Sequence, residues 1–167
     1  MHAEIQRSFR LLVEYAASLV DDIPADQFAV QPAGVRNHPA WIIGHLCGSF
    51  QAIGTEIGLS PWLPGDWSAR FGTGTAPTPG AAAYPPKREL VDSLRDSASR
   101  IDAALGSLPA ELLAADLPDK EYREVLPTIG DALIHILIGH ASIHVGQLTS
   151  WRAVMGLPHV GERFDRE

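Results

Sequence analysis

The chain has 167 residues, 46% hydrophobic and 20% charged, a size and balance that suit one domain able to bury a core without disulfides or a structural metal. A formal charge of −7, with no Lys/Arg cluster along any helix or loop, excludes the electrostatic footprint of a nucleic-acid binder. The single cysteine, Cys47, excludes an intrachain disulfide and agrees with a cytoplasmic setting; MHAEIQRSFR lacks the apolar core of an export signal, and His and Gly interrupt the longer apolar runs, so no membrane partner is expected.

Residues 3–20 place Ile5, Phe9, Leu12 and Ala16 at helical spacing, and Asp21, Asp22 and Pro24 close this first helix. A second helix is predicted over about 38–58, with Asn37 as N-cap and Pro39 in the first turn. Pro and Gly recur too often between Leu59 and Pro86 for a regular element. A loop this long is functional or disordered, and Trp62, Trp67, Phe71 and Tyr84 argue that it packs on something, either as a crossover or as a lid.

The segment from Pro86 to Leu108 repeats Leu90, Leu94, Ile101 and Leu105 with charge between them, which predicts a third helix. Residues 109–127 read as a second Pro-punctuated connection with a turn or strand-like piece at Tyr122 to Val125. Thr128, with Asp131 three residues on, caps the fourth and longest helix, which Gly156 and Pro158 end. With no internal repeat and no linker, residues 1–167 form a single all-α domain, a four-helix bundle whose long connections permit crossovers.

His140 and His144 are four residues apart, about 40° around a helix and about 6 Å along it, so both rings can reach one ion. They share a side with Leu133, Ile136, Leu137, Leu148, Trp151 and Met155, so they project from the buried stripe. Spacing alone leaves two readings open: core histidines satisfied by hydrogen bonds, or metal ligands. Ala141 stands where a zinc-protease helix needs Glu.

An open catalytic zinc site typically takes three protein ligands, and the best third donor is His45, in WIIGHLCGSF on the side of Trp41 and Ser49, where Gly44 permits close approach. Cys47 points about 200° around the helix from His45 and is left out of the site. His38 either lines the mouth of the pocket or sits at the surface. His135, nine residues before His144, falls half a turn off and is also left out. Glu56 shares the His45 face but lies three turns away, too far to serve as a base.

NHPAWIIGHL in an early helix and HASIHVGQL in the last, with YPPKREL, T-x-G-D and RAVMGLP elsewhere, resemble the DinB/YfiT-like family over essentially the whole chain. The resemblance implies an up-and-down-up-up four-helix bundle holding one divalent metal, zinc or nickel before iron, on His45, His140 and His144. Gln147, three residues after His144, is placed to hydrogen-bond a ligand or a substrate, and Trp41 and His38 are further candidates for contact with the substrate or the ligands. Many relatives carry His and Arg where this chain has Ile143 and Val145.

Relatives include transferases and isomerases that use a low-molecular-weight thiol such as mycothiol or bacillithiol. The resemblance therefore points to a small-molecule substrate, a thiol as second cofactor, and a homodimer, for which Trp62 or Trp67 could supply the interface. The alternatives are a metal-dependent hydrolase and a non-catalytic metal or small-molecule binding protein.

Overall fold

The computed structural model describes residues 2–161. Four long helices form the bundle: α1 (His2–Asp21), α2 (Pro39–Glu56), α4 (Lys87–Leu105) and α7 (Ile129–Val154). Three short ones, α3 (Trp67–Phe71), α5 (Ala110–Leu113) and α6 (Lys120–Arg123), lie in the connections. Among the described residues there is no strand, only one isolated bridge between Asp116 and Thr128. Of the turn or strand-like piece expected at Tyr122 to Val125, the structure has the turn: Tyr122 lies in the single-turn α6, which Asp119 caps by accepting from the Glu121 and Tyr122 N–H groups.

Helices α1 and α2 each pack against both α4 and α7, so they oppose one another across the bundle's diagonal. There the rings of Phe9 and Phe50 meet edge to face, 5.0 Å between centroids. Gln6 and Arg10, in the N-terminal half of α1, bond to Asp102 near the end of α4, while Lys87 at the start of α4 donates to the carbonyls of Asp21 and Ile23, so α4 runs against α1. Arg152 meets Leu19 and Asp22 at the C-terminal end of α1, so α7 runs with it. Along α2, Asn37 reaches Gln147 while His45 reaches back to His140, so α2 and α7 are antiparallel.

The helix order is therefore up, down, down, up, which corrects the up-and-down-up-up order expected from the resemblance. The reason lies in the 57–86 connection. It must return the length of α2, about 27 Å, before α4 can start parallel to it.

Helix α2 is buried at every residue from Pro39 to Cys47 because this crossover wraps the side that the other helices leave open. Trp67 donates to the Gly44 carbonyl and Trp62 donates to Ser97. Trp62 also lies where a Cβ on Gly54 would fall. Trp67 is buried and Trp62 half-buried, and the crossover is a fixed wall instead of a detached loop.

The N-cap of α2 is His38, not Asn37: its Nδ1 accepts from the Trp41 N–H at 3.2 Å and its Nε2 donates to the Thr78 carbonyl at 3.2 Å. That leaves the Asn37 amide free to bond across to α7. The capping box expected at Thr128 and Asp131 is present.

Helix α7 is not uniform. His135–His140 form a π-helical segment between two α-helical stretches. By length and composition α7 would pass for a membrane-crossing helix; its apolar residues Leu137, Leu148 and Trp151 are explained here by packing into the bundle.

At the C-terminal end of α7, Arg152 is only 2% exposed. Its guanidinium donates to Asp22 through both Nη atoms and to the carbonyls of Leu19 and Pro158. Arg152→Met removes four bonds and leaves two carbonyls short of donors, so it should cost about 3 kcal/mol. Urea unfolding of the two proteins measures this, and unchanged midpoints would show that the ion pair does not hold α7 to α1.

Candidate metal centre

Three imidazoles converge where α2 crosses α7. His45 projects from the second turn of α2, His140 ends the π segment, and His144 follows one turn later. The His140 Nε2 lies 3.1 Å from that of His45 and 3.2 Å from that of His144. The ligand atoms of the three all fall within 4.8 Å of one another. Three nitrogens at corners of a tetrahedron around a first-row divalent ion stand about 3.3 Å apart. The observed separations match that spacing.

The outer nitrogens set which lone pairs face inward. His45 Nδ1 donates to the Phe71 carbonyl at 2.6 Å, and His144 Nδ1 donates to Gln147 Oε1 at 3.0 Å. Both Nε2 atoms are then unprotonated and aimed at His140 Nε2. A single proton there satisfies one strong bond, whereas a cation satisfies all three lone pairs, so the residues fit a divalent metal. His140 Nδ1 is buried and has no partner among the described residues, so packing alone orients this third ring.

The supporting contacts explain why α2 carries the sequence it does. The Trp41 ring stacks on His45, 4.6 Å between centroids and 11° between planes, and donates its Nε1–H to Thr75. Gly44 is required: a Cβ there would fall 2.2 Å from the Phe71 ring, and this close approach brings the Phe71 carbonyl onto His45. Gln147 lines a cavity with His45 and His140. Its Oε1 accepts from both His144 and Asn37, tying the ligand to the start of α2.

His38 does not reach the site. It is fully buried as the α2 cap, against the Tyr84 ring, so it is at neither of its expected places, the pocket mouth or the surface. Cys47 is fully buried, and burial pushes its thiol well above the usual thiol range, which keeps it protonated.

His135, set aside on α-helical geometry, lies on the wall of the site. In a straight α-helix it would sit about 140° from His140. The wider π turn instead brings the two rings to 6.3 Å, and both line a cavity of about 520 Å³. No residue-level signal marks a π segment, although Gly139 inside it weakens the α-helical preference. Glu56 lines the same cavity, further along the α2 groove than His45.

The sequence model of the DinB superfamily matches residues 9–148, which include all three histidines and Gln147. In this bundle one imidazole from the second long helix and two from the last form a three-histidine group that could hold a metal ion. The chain belongs to the DinB superfamily. No curated protein and no solved structure matches it.

Burial lowers all three imidazoles, and proximity to one another lowers two of them further. His144 falls to about 3, through burial and then His140 and His45, and His140 to about 4, through burial and then His45 and His135. His45 moves the same way, opposed by its bond to Phe71. These depressed values mean that, between the usual 6.5 and about 4, the unfolded chain binds protons the folded one does not. The metal-free protein should keep its full stability above about pH 6.5 and lose it as pH falls through that window. Urea midpoints measured after chelation from pH 7.5 to 4.5 should decline, and the decline should flatten in His144→Ala.

Gly44→Ala should weaken metal affinity roughly 10–100-fold by displacing the Phe71 carbonyl from His45. Competition with a chromogenic chelator reads this. Affinity at the wild-type level would mean that the carbonyl contact does not orient the ligand.

Proposed function

We propose that this protein is a divalent-metal-dependent enzyme that transfers a small thiol to an electrophilic substrate. The observation that carries the reading is the convergence of three Nε2 lone pairs at the side of a 520 Å³ cavity. Three neutral imidazoles contribute no charge, so a divalent ion held there keeps its full Lewis acidity and favours a thiolate over a thiol at neutral pH.

The chain's own residues do the remaining work. The Phe71 carbonyl and Gln147 hold His45 and His144 as Nδ1–H tautomers, so their donor atoms stay unprotonated. Trp41 fixes the plane of His45 and closes one side of the cavity. His135, on the cavity wall beside His140, is placed to accept the thiol's proton. The sulfur then bonds to the electrophilic carbon, the leaving group departs with the electron pair of its bond, and His135 returns the proton to it. A substrate of some twenty to thirty heavy atoms suits a cavity of this size, which is within the usual range for small-molecule sites.

A second reading is hydrolysis, in which His135, on the cavity wall beside His140, takes the proton of a water molecule instead of a thiol. The two differ in what the reaction consumes. Protein purified without a His-tag should contain about one first-row metal per chain, and His140→Ala should lose it. Loaded protein should then consume an electrophile such as 1-chloro-2,4-dinitrobenzene only when a low-molecular-weight thiol is added. Ester or amide cleavage without thiol would replace this reading with the hydrolytic one; no turnover of either kind in metal-loaded protein would leave a binding protein.

A further inference from the structure

The cavity beside the triad has two chemically different ends. Helix α2 runs along it, and α7 runs antiparallel to α2, so the residues sort by height. Toward the C-terminal end of α2 the wall is apolar, with Ile53, Leu126 and Ile136, and its rim carries Glu56. Toward the N-terminal end it is polar, with Asn37, Trp41, Thr75 and Gln147, and its only charged group is Arg36.

Arg36 differs from most of the other arginines. Seven of them lie within ion-pair distance of a carboxylate, as expected in a chain of net charge −7. The Arg36 guanidinium has no ion-pair or hydrogen-bond partner among the described residues and is exposed on the cavity wall. Its backbone, by contrast, is anchored. Gln31 Nε2 donates to the Arg36 carbonyl at 2.7 Å, and the next residue, Asn37, is buried and bonded to Gln147. A side chain on a fixed root, free of acidic neighbours and facing a ligand-sized cavity, is available for an anion from outside the chain.

We propose that Arg36 selects a carboxylate-bearing co-substrate, whose anionic end lies at the guanidinium while its thiol reaches the histidine triad. This rests on the metal-and-thiol reading above and narrows it to an anionic thiol. The first turn of α2 lies about 9 Å along the helix axis from His45, a span that a short-chain mercapto acid and an extended arginine bridge together. The apolar end, beyond His45, is left for the electrophile. The acidic groups on the wall, Glu56 and Asp119, would repel a second carboxylate there, so the charge pattern also sets the direction in which the co-substrate lies.

Calorimetric titration of the metal-loaded protein with 3-mercaptopropionate and with 2-mercaptoethanol tests this, with metal content measured on the same samples. The anionic thiol should bind roughly tenfold tighter than the neutral one, and Arg36→Gln should remove that preference while leaving 2-mercaptoethanol within about twofold. Arg36→Lys should restore part of it, and Ile53→Phe, at the other end, should leave the preference in place. Equal binding of the two thiols, or a preference that survives Arg36→Gln, overturns the proposal while the metal reading stands. Protein that takes up no metal overturns both, and the metal measurement shows which has failed.

Discussion

Packing three imidazoles so that their Nε2 atoms stand 3.1 and 3.2 Å apart inside a bundle is unfavourable unless something positive joins them. Two of those nitrogens are held bare by outer hydrogen bonds, and the third ring is wedged between them. Buried polar groups are normally paired, and a cation at this point could pair all three lone pairs at once. Much of the rest of the structure serves it: Gly44 admits the Phe71 ring, the crossover brings the Phe71 carbonyl, and Gln147 links the last helix to Asn37. The site is thus made at a seam between α2 and α7, with the short helix α3 of the crossover supplying one of its fixing bonds.

The long helices and the triad were legible because they depend on periodicity. Leu90, Leu94 and Ile101 mark one buried stripe and Leu137, Leu148 and Trp151 another, and a pair of histidines on the second stripe has no easy structural excuse. What escaped the reading depends on contacts that carry no residue signature. The Phe71 carbonyl is a backbone group, and any residue offers one. The cap of α2 fell to His38 instead of Asn37 because the asparagine was wanted by Gln147, a residue 110 positions away. Helix direction escaped for a related reason. A connection of thirty residues allows α4 to lie parallel or antiparallel to α2, and only cross-helix pairs such as Lys87 with Ile23 decide it.

His135 is the clearest lesson in the use of helical phase. Counting at 100° per residue assumes a uniform helix, and one π turn between the counted residues moves everything before it to a new face. Such turns are concentrated at functional sites, where a helix must aim more groups at one point than 3.6 residues per turn allows. Here the widened turn puts His135, His140 and His144 along one wall, two of them in the ligand set and one beside it. A histidine within five or six residues of a helical ligand pair is therefore worth keeping in view even when the wheel places it elsewhere.

The crossover between α2 and α4 also divides the chain into stretches of unequal tolerance to change in length. Its middle portion, from Trp67 to Thr75, is fastened at Gly44, His45 and Trp41 in quick succession. A residue added or deleted there would shift the carbonyl that orients a ligand. Lengthening the segment near Gly80, whose backbone turns at a positive φ of 105° ahead of the exposed Ala81–Ala83, would leave those fastenings alone. Relatives that differ in this region should thus vary in loop length near the start of α4 and hold the Trp67 stretch constant, so chain length and metal chemistry can drift independently.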